Sequence, residues 1–161
     1  MKIEKTPQTL HIISHDIRSR ENVGSLFRTC DSLGVAKLWL TGYTVTPPDP
    51  KLAKVALGSE SSVLWEKRID VIALIQELKR QQMPVYALEL TPDAIDLSQF
   101  APPPALALLL GTERTGIPAS LLTLCDGVIK LTQRGIKESL NVSVAAAIAA
   151  WAILNPSHPN V

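Results

Sequence analysis

Three polar segments carry the side chains that are best suited to chemistry. They read RSRENVGSLFR at residues 18–28, LGTERTGIP at 110–118 and IKLTQRGIKESLNVSVA at 129–145. Each follows a short apolar run that is typical of a buried strand. Polar groups and glycines at the carboxyl ends of parallel strands are typical of a ligand site, because ligands of such sheets bind at that edge. The candidate side chains are Asn22, Arg28, Glu113, Ser139 and Asn141.

Each of these groups also has an ordinary structural explanation. Asn22 is well placed as a helix N-cap, and Arg28 falls on the helix face opposite the apolar residues, towards solvent or a cleft. The loop around Glu113 suits a plain strand–loop–helix turn. Either Ser139 or Asn141 caps the last helix, which leaves the other side chain available to a cleft.

Several patterns that would indicate other chemistry are absent from the sequence. It contains no GxGxxG, GxSxG or HExxH, and its three histidines are scattered. The two cysteines, Cys30 and Cys125, lack metal-ligand spacing and read as buried thiols in a reducing cytosol. We therefore predict no metal site and no disulfide framework.

The length and composition predict one globular domain over residues 1–161. We also predict a cytoplasmic location. The net charge of +1 neither indicates nor excludes RNA, although local basic clusters occur at residues 18–28 and 134–137. The opening segment has no apolar run of a signal peptide, and the longest apolar run, 142–154, is too short to span a bilayer. We predict no membrane association.

Apolar β-branched runs alternate with helical patterns, which predicts an α/β fold with a mostly parallel sheet and helices on both faces. Helices are expected from residue 23 to Gly34, over 71–82, and from about 140 to 154. The proline-rich stretches 46–50 and 102–104 are predicted to be loops within one domain. The predicted strands are Leu10–Ser14, Lys37–Thr41, Val85–Leu90, Ala105–Leu110 and Val128–Leu131.

The last predicted helix is apolar nearly all round. One stripe comprises Leu140, Val144, Ala147, Ile148, Trp151 and Leu154, and the other side also carries Val142, Ala146, Ala149 and Ile153. Such a helix must be covered on both faces. Its own loops could cover the second face, but the chain has little spare mass, so we predict a homodimer.

Taken together, the three segments resemble motifs one, two and three of the SpoU/TrmH family of SPOUT RNA ribose methyltransferases. The matches are NVGSLFR, LGTERTG and KESLNVSVAAAI, in the family's order and over nearly the whole chain. The stretch PKLAKVALGSESSVLWE also resembles the family's insert after the second strand. One departure is the segment Leu131-Thr132-Gln133, where many members carry Ile-Pro-Met around the cofactor adenine.

The resemblance implies a C-terminal trefoil knot, a homodimer, and S-adenosylmethionine (SAM) as the cofactor bound within the knot. It implies methyl transfer to a ribose hydroxyl of tRNA or rRNA, with Asn22, Arg28, Glu113, Ser139 and Asn141 as the catalytic and structural set. The cofactor positions carried over are Leu88, Glu89, Gly111, Leu131, Gly135 and Leu140.

Roles for the implied catalytic set follow from their chemistry. A guanidinium is effectively always protonated, so we expect Arg28 to bind the adjacent phosphate and stabilise alkoxide charge rather than act as a base. A phosphate oxygen or water would take the proton. Ser139 and Asn141 would orient the cofactor and Arg28, and Glu113 would hold Asn22 or nearby backbone.

Three alternatives stay open. A SPOUT enzyme could methylate a base nitrogen, and a non-catalytic RNA-binding protein could retain the fold. A dehydrogenase is disfavoured because no glycine fingerprint is present. With no added RNA-binding module, recognition must come from the dimer surface or a partner, and tRNA is the favoured target.

Overall fold

A parallel sheet of seven strands forms the centre of the fold, counted over residues 8–156, which the computed structural model describes. Across the sheet the order is β3-β2-β1-β6-β4-β7-β5, and every neighbouring pair is parallel. The predicted fold class is confirmed. The strands are β1 Thr9–His15, β2 Lys37–Thr41, β3 Trp65–Arg68, β4 Val85–Leu88, β5 Ile95–Asp96, β6 Ala105–Leu110 and β7 Gly127–Lys130.

Two strands at the sheet edges have no counterpart in the prediction. β3 has the sequence WEKR, and all four of its residues are half-buried, so it lacks the apolar run of a central strand. β5 is only two residues long. The five predicted strands are all present, and β2 and β6 have the predicted bounds.

Helices cover both faces of the sheet. They are α1 Arg20–Leu33, α2 Pro50–Ala56, α3 Val71–Arg80, α4 Ala119–Leu122 and α5 Val142–Leu154. The side chains of β6 alternate between the two layers: Leu106, Leu108 and Leu110 join the core under α1 and α5, whereas Ala107 and Leu109 join the core under α3 and α4. This two-sided burial explains the continuous apolar sequence of β6.

Two sequence predictions at the starts of helices are wrong for identifiable reasons. The N-cap of α1 is Ser19, whose side chain accepts a hydrogen bond from the Asn22 backbone N–H, so Asn22 lies inside the helix and is not its cap. α2 begins at Pro50 after the cap Asp49, within a stretch predicted to be loop. Proline is well tolerated at a first helical position. The predicted stop of α1 at Gly34 is confirmed, with φ of 71°.

α5 is buried on one side only. Ala146, Ala149, Ala150 and Ile153 lie in the core, whereas Val144, Ile148 and Trp151 are 47%, 45% and 59% exposed. We call these three residues the α5 stripe. Within residues 8–156, no helix is long and apolar enough to cross a membrane. The trefoil knot implied by the resemblance stays a prediction.

Candidate active site

A pocket lies at the carboxyl ends of β4, β6 and β7. Five of the six positions expected to contact the cofactor line it, whereas Gly135 lies in the exposed loop before α5 and does not. Because the three strands are parallel and β4 pairs with both others, the loops that follow them meet at one edge of the sheet. The lining comprises Leu88, Glu89, Leu90, Leu110, Gly111, Thr112, Glu113, Leu131, Gln133, Ser139, Leu140, Val142 and Ala145.

Side-chain hydrogen bonds join the three polar segments. Asn141 Nδ2 donates to Asn22 Oδ1 at 3.0 Å, and Asn22 Nδ2 donates to Glu113 Oε1 at 2.7 Å. In the sequence, Asn22 is 91 positions from Glu113 and 119 positions from Asn141. Asn22 is only 9% exposed. The chain Asn141–Asn22–Glu113 therefore brings the segments together, and it contains the predicted contact of Glu113 with Asn22.

Asn141 also begins α5. Its Oδ1 accepts hydrogen bonds from the backbone N–H groups of Ser143 and Val144, at 2.9 and 3.3 Å. One amide thus caps the helix with its oxygen and holds Asn22 with its nitrogen. Of the two predicted capping residues, Asn141 is the cap, and Ser139 is exposed at the pocket wall.

The loop after β6 needs glycines because other protein atoms pack closely against its backbone, and not only because a ligand could approach it. A Cβ on Gly111 would lie 2.5 Å from the backbone carbon of Gly116. Gly116 has φ of 67°, and a Cβ there would lie 2.2 Å from Glu89 Oε2. The loop consequently folds back tightly on itself beside the pocket.

Glu89 has a role that the sequence did not indicate. Its Oε2 accepts a hydrogen bond from Ile117 N–H and its Oε1 from Leu90 N–H, both at 2.9 Å. The carboxylate therefore fastens the 111–117 loop to the end of β4. Contact with the cofactor stays a prediction for this residue.

Arg28 does not line this pocket in the single chain that the structure describes, so its place beside the cofactor stays a prediction. It is exposed and lines a separate groove with Thr29, Ser32 and the α5 residues Ile148 and Trp151. The reason is helical geometry: six residues after Asn22, Arg28 is about 9 Å further along the axis and about 240° around it. One helix thus presents these two side chains to different places.

The departure at Thr132 and Gln133 has a structural explanation. The Thr132 hydroxyl donates a hydrogen bond to the carboxylate of Asp96, the last residue of β5. The Gln133 amide lies between Lys137 O and Leu140 N, at 3.2 and 3.1 Å, and it can donate to the first and accept from the second. Hydrogen bonds of the Ser98 side chain, then of Thr132, lower the pKa of Asp96 to about 2. Asp96 is therefore an ionised acceptor at neutral pH.

We expect Gln133→Ala to weaken SAM binding by about 5- to 150-fold, since the two hydrogen bonds that this amide can make, of about 0.5–1.5 kcal/mol each, would fix the 131–140 loop. Calorimetric titration with SAM measures the effect, and Gln81→Ala, on the exposed end of α3, is the control. An unchanged SAM affinity would show that the Gln133 side chain does not fix this loop.

Thiol and metal chemistry find no support in the residues that the structure describes. Burial raises the pKa of the Cys30 thiol to about 12 and that of Cys125 to about 11, so neither is a ready nucleophile. Residues 8–156 contain no group of three or more histidine, cysteine, aspartate or glutamate side chains that could hold a metal ion.

The fold and the site define a parallel α/β protein with a ligand pocket at the carboxyl edge of its sheet. The chain belongs to the SpoU rRNA Methylase family, whose profile matches residues 9–151. The predicted family is confirmed, and with it the prediction of a methyltransferase.

Two curated relatives illustrate the similarity. The tRNA (guanosine(18)-2'-O)-methyltransferase of Thermus thermophilus is 33% identical over 141 residues, which cover 86% of this chain and 71% of that protein. The mouse tRNA (guanosine(18)-2'-O)-methyltransferase TARBP1 is 32% identical over 93% of this chain. The chain spans only 10% of the length of that mouse relative.

Solved structures share the fold. The SpoU methyltransferase AviRb from Streptomyces viridochromogenes, in complex with AdoMet, has a TM-score of 0.84 at 23% identity, and the match covers 92% of this chain and 60% of that one. A structure described as giving insights into the 2-OH methylation of C/U34 on tRNA has a TM-score of 0.83 at 26% identity, covering 94% and 99%.

Proposed function

We propose that this chain transfers a methyl group from SAM to a ribose 2'-hydroxyl of RNA. The observation that carries the proposal is the hydrogen-bonded chain Asn141–Asn22–Glu113, which joins three family motifs beside one pocket. The names of the curated relatives support the reaction, and the AdoMet in the AviRb structure supports the cofactor.

The pocket has the chemistry that SAM requires. The apolar residues of the lining can contact an adenine ring and the methylenes of a methionine chain, and backbone groups at the strand ends could bind polar atoms. They are Leu88, Leu131, Leu140, Val142 and Ala145. Bound there, SAM supplies a methyl group already activated by its sulfonium. The protein has mainly to align the attacking oxygen, and such positioning can contribute about 7–11 kcal/mol.

Calorimetric titration tests the cofactor directly. We expect SAM and its demethylated product to bind with about one site per chain. Ala145→Phe, which fills the pocket from α5, is expected to abolish the heat. A wild-type protein that gives no heat with either ligand would contradict the proposal.

We further propose a homodimer formed through the α5 stripe. Three large apolar side chains on successive turns of one helix are about half exposed, and Leu140, 43% exposed, extends the row to the pocket mouth. Most soluble oligomers are symmetric, with the same patch used on both subunits. A second copy of α5 is therefore a self-complementary cover for the stripe.

Dimerisation also gives Arg28 access to a pocket. Arg28 lines a groove with Ile148 and Trp151 of the α5 stripe, and Leu140, which extends the row beyond the stripe, lines the pocket. A copy seated on the stripe brings its Arg28 towards the partner's pocket. There the guanidinium binds the phosphate next to the target ribose and stabilises alkoxide charge, while a phosphate oxygen or water takes the proton.

The remaining side chains position this arrangement. Asn22, Glu113 and Asn141 hold the three segments together, and Ser139 orients the ligand at the pocket wall. The substrate is tRNA, as favoured from the sequence, because the named activities of the curated relatives are on tRNA. A single methyltransferase domain over residues 1–161 and a cytoplasmic location belong to the same proposal.

A further inference from the structure

Tyr43 is an exposed aromatic residue that no element of the sheet or helices covers. It follows β2, and its side chain is 73% exposed. The Arg18 guanidinium carbon lies 4.9 Å from the centre of the Tyr43 ring. The pair is therefore a cation stacked on an aromatic ring that still has open surface.

The turn that carries Tyr43 is fixed by its neighbours. Tyr43 N–H donates to Asp16 Oδ1 at 2.8 Å. Lys67 Nζ donates to the carbonyls of Gly42 and Thr44, at 2.6 and 2.8 Å. Hydrogen bonds thus hold the backbone on both sides of an unburied ring. A ring presented in this way loses little conformational entropy when a ligand stacks on it.

The position of the pair relates it to the pocket. Tyr43 follows β2 and Arg18 follows β1, and β1 lies between β2 and β6 in the sheet. The loop after β6 contains Gly111 and Glu113 at the pocket. Since strands are spaced about 4.8 Å apart, the end of β2 is about 10 Å from the end of β6 along the same edge. That separation is on the scale of one or two nucleotides.

We propose that Tyr43 and Arg18 form a stacking site for an unpaired nucleobase of the RNA substrate, beside the nucleotide that is methylated. The inference rests on the proposed function. Unpaired bases are bound by stacking on aromatic side chains and guanidinium planes, and a nearby arginine also binds phosphate.

The test compares Tyr43→Ala, Tyr43→Phe and the control Leu64→Ala. Leu64 has a 62% exposed side chain and directly precedes β3. It therefore lies at the amino ends of the parallel strands, whereas Tyr43 lies at their carboxyl ends. With tRNA as the probe, we expect Tyr43→Ala to raise the RNA Kd and KM by about 5- to 150-fold, the usual range for one lost stack. Tyr43→Phe and Leu64→Ala should bind RNA as the wild type does, and SAM affinity should not change.

Each contrary result has a definite meaning. If Tyr43→Ala binds and methylates RNA normally, the stacking site is wrong while the proposed function stands. If Tyr43→Phe loses as much as Tyr43→Ala, the hydroxyl acts and stacking is excluded. If Tyr43→Ala changes only the oligomeric state, the residue is a protein contact. If wild-type protein methylates no RNA, the proposed function itself fails.

Discussion

Arg28→Ala is expected to lower kcat for RNA methylation by about 10²- to 10³-fold, as removal of a donor that stabilises developing oxyanion charge usually does. SAM affinity should not change, because Arg28 lies outside the pocket of its own chain. Transfer of labelled methyl under single-turnover conditions measures the first quantity, and calorimetry measures the second.

Two controls separate catalysis from general charge loss. Arg80→Ala removes another exposed arginine, at the end of α3, and should leave kcat unchanged. Arg28→Lys keeps a cation but loses the planar donor pair, so it should recover only part of the rate. Wild-type kcat in Arg28→Ala would show that the guanidinium has no catalytic role.

A mixing experiment tests whether Arg28 serves the partner's pocket. Arg28→Ala keeps an intact pocket, and Ala145→Phe keeps an intact arginine. If the arginine acts across a two-fold interface, each mixed dimer has one working site, and random mixing restores about a quarter of wild-type activity. If Arg28 acts within its own chain, the mixture stays inactive.

Ile148→Glu is expected to convert a dimer into monomers and to remove most methylation activity. A carboxylate placed in the middle of the α5 stripe would be buried without a partner at the interface, which costs several kcal/mol. The monomer should keep its fold, because Ile148 is 45% exposed within one chain. Analytical ultracentrifugation measures the oligomeric state, and circular dichroism tests whether the fold is kept.

Ile72→Glu is a matched control, since Ile72 is a 43% exposed isoleucine on α3, away from α5. It should leave both dimerisation and activity unchanged. A dimeric and active Ile148→Glu protein would mean that the α5 stripe is not the interface. A monomer with full activity would mean that the site needs no second copy.

The sequence predicted the parts of the fold that are fixed by burial. The continuous apolar run ALALLL favoured a strand covered on both faces, and β6 is one. The sequence WEKR did not predict strand β3, because an edge strand is half-exposed and can be polar. Asn22 looked like a helix cap because asparagine suits that position, but Ser19, three residues earlier, takes it.

The site was predictable as a set of residues but not as an arrangement. The position of each motif after a predicted strand indicated that Asn22, Glu113 and Asn141 lie at one edge of the sheet. Only the structure reveals that the Asn141 amide both caps α5 and holds Asn22. Helical spacing indicated that Arg28 faces outwards, but it could not indicate which groove it faces. Gln133 was visible in the sequence only as a departure from the family motif, whereas the structure places its amide where it can hydrogen-bond to Lys137 and Leu140 of the same loop.

The most direct test of the proposed reaction is the position of the transferred methyl group. Wild-type protein is incubated with unmodified tRNA and methyl-labelled SAM, and the RNA is digested to nucleosides and separated by chromatography. We predict that the label is found in a 2'-O-methylnucleoside and that Arg28→Ala protein gives almost none. Label recovered in a base-methylated nucleoside, or no label in RNA from either tRNA or rRNA substrates, would contradict the account.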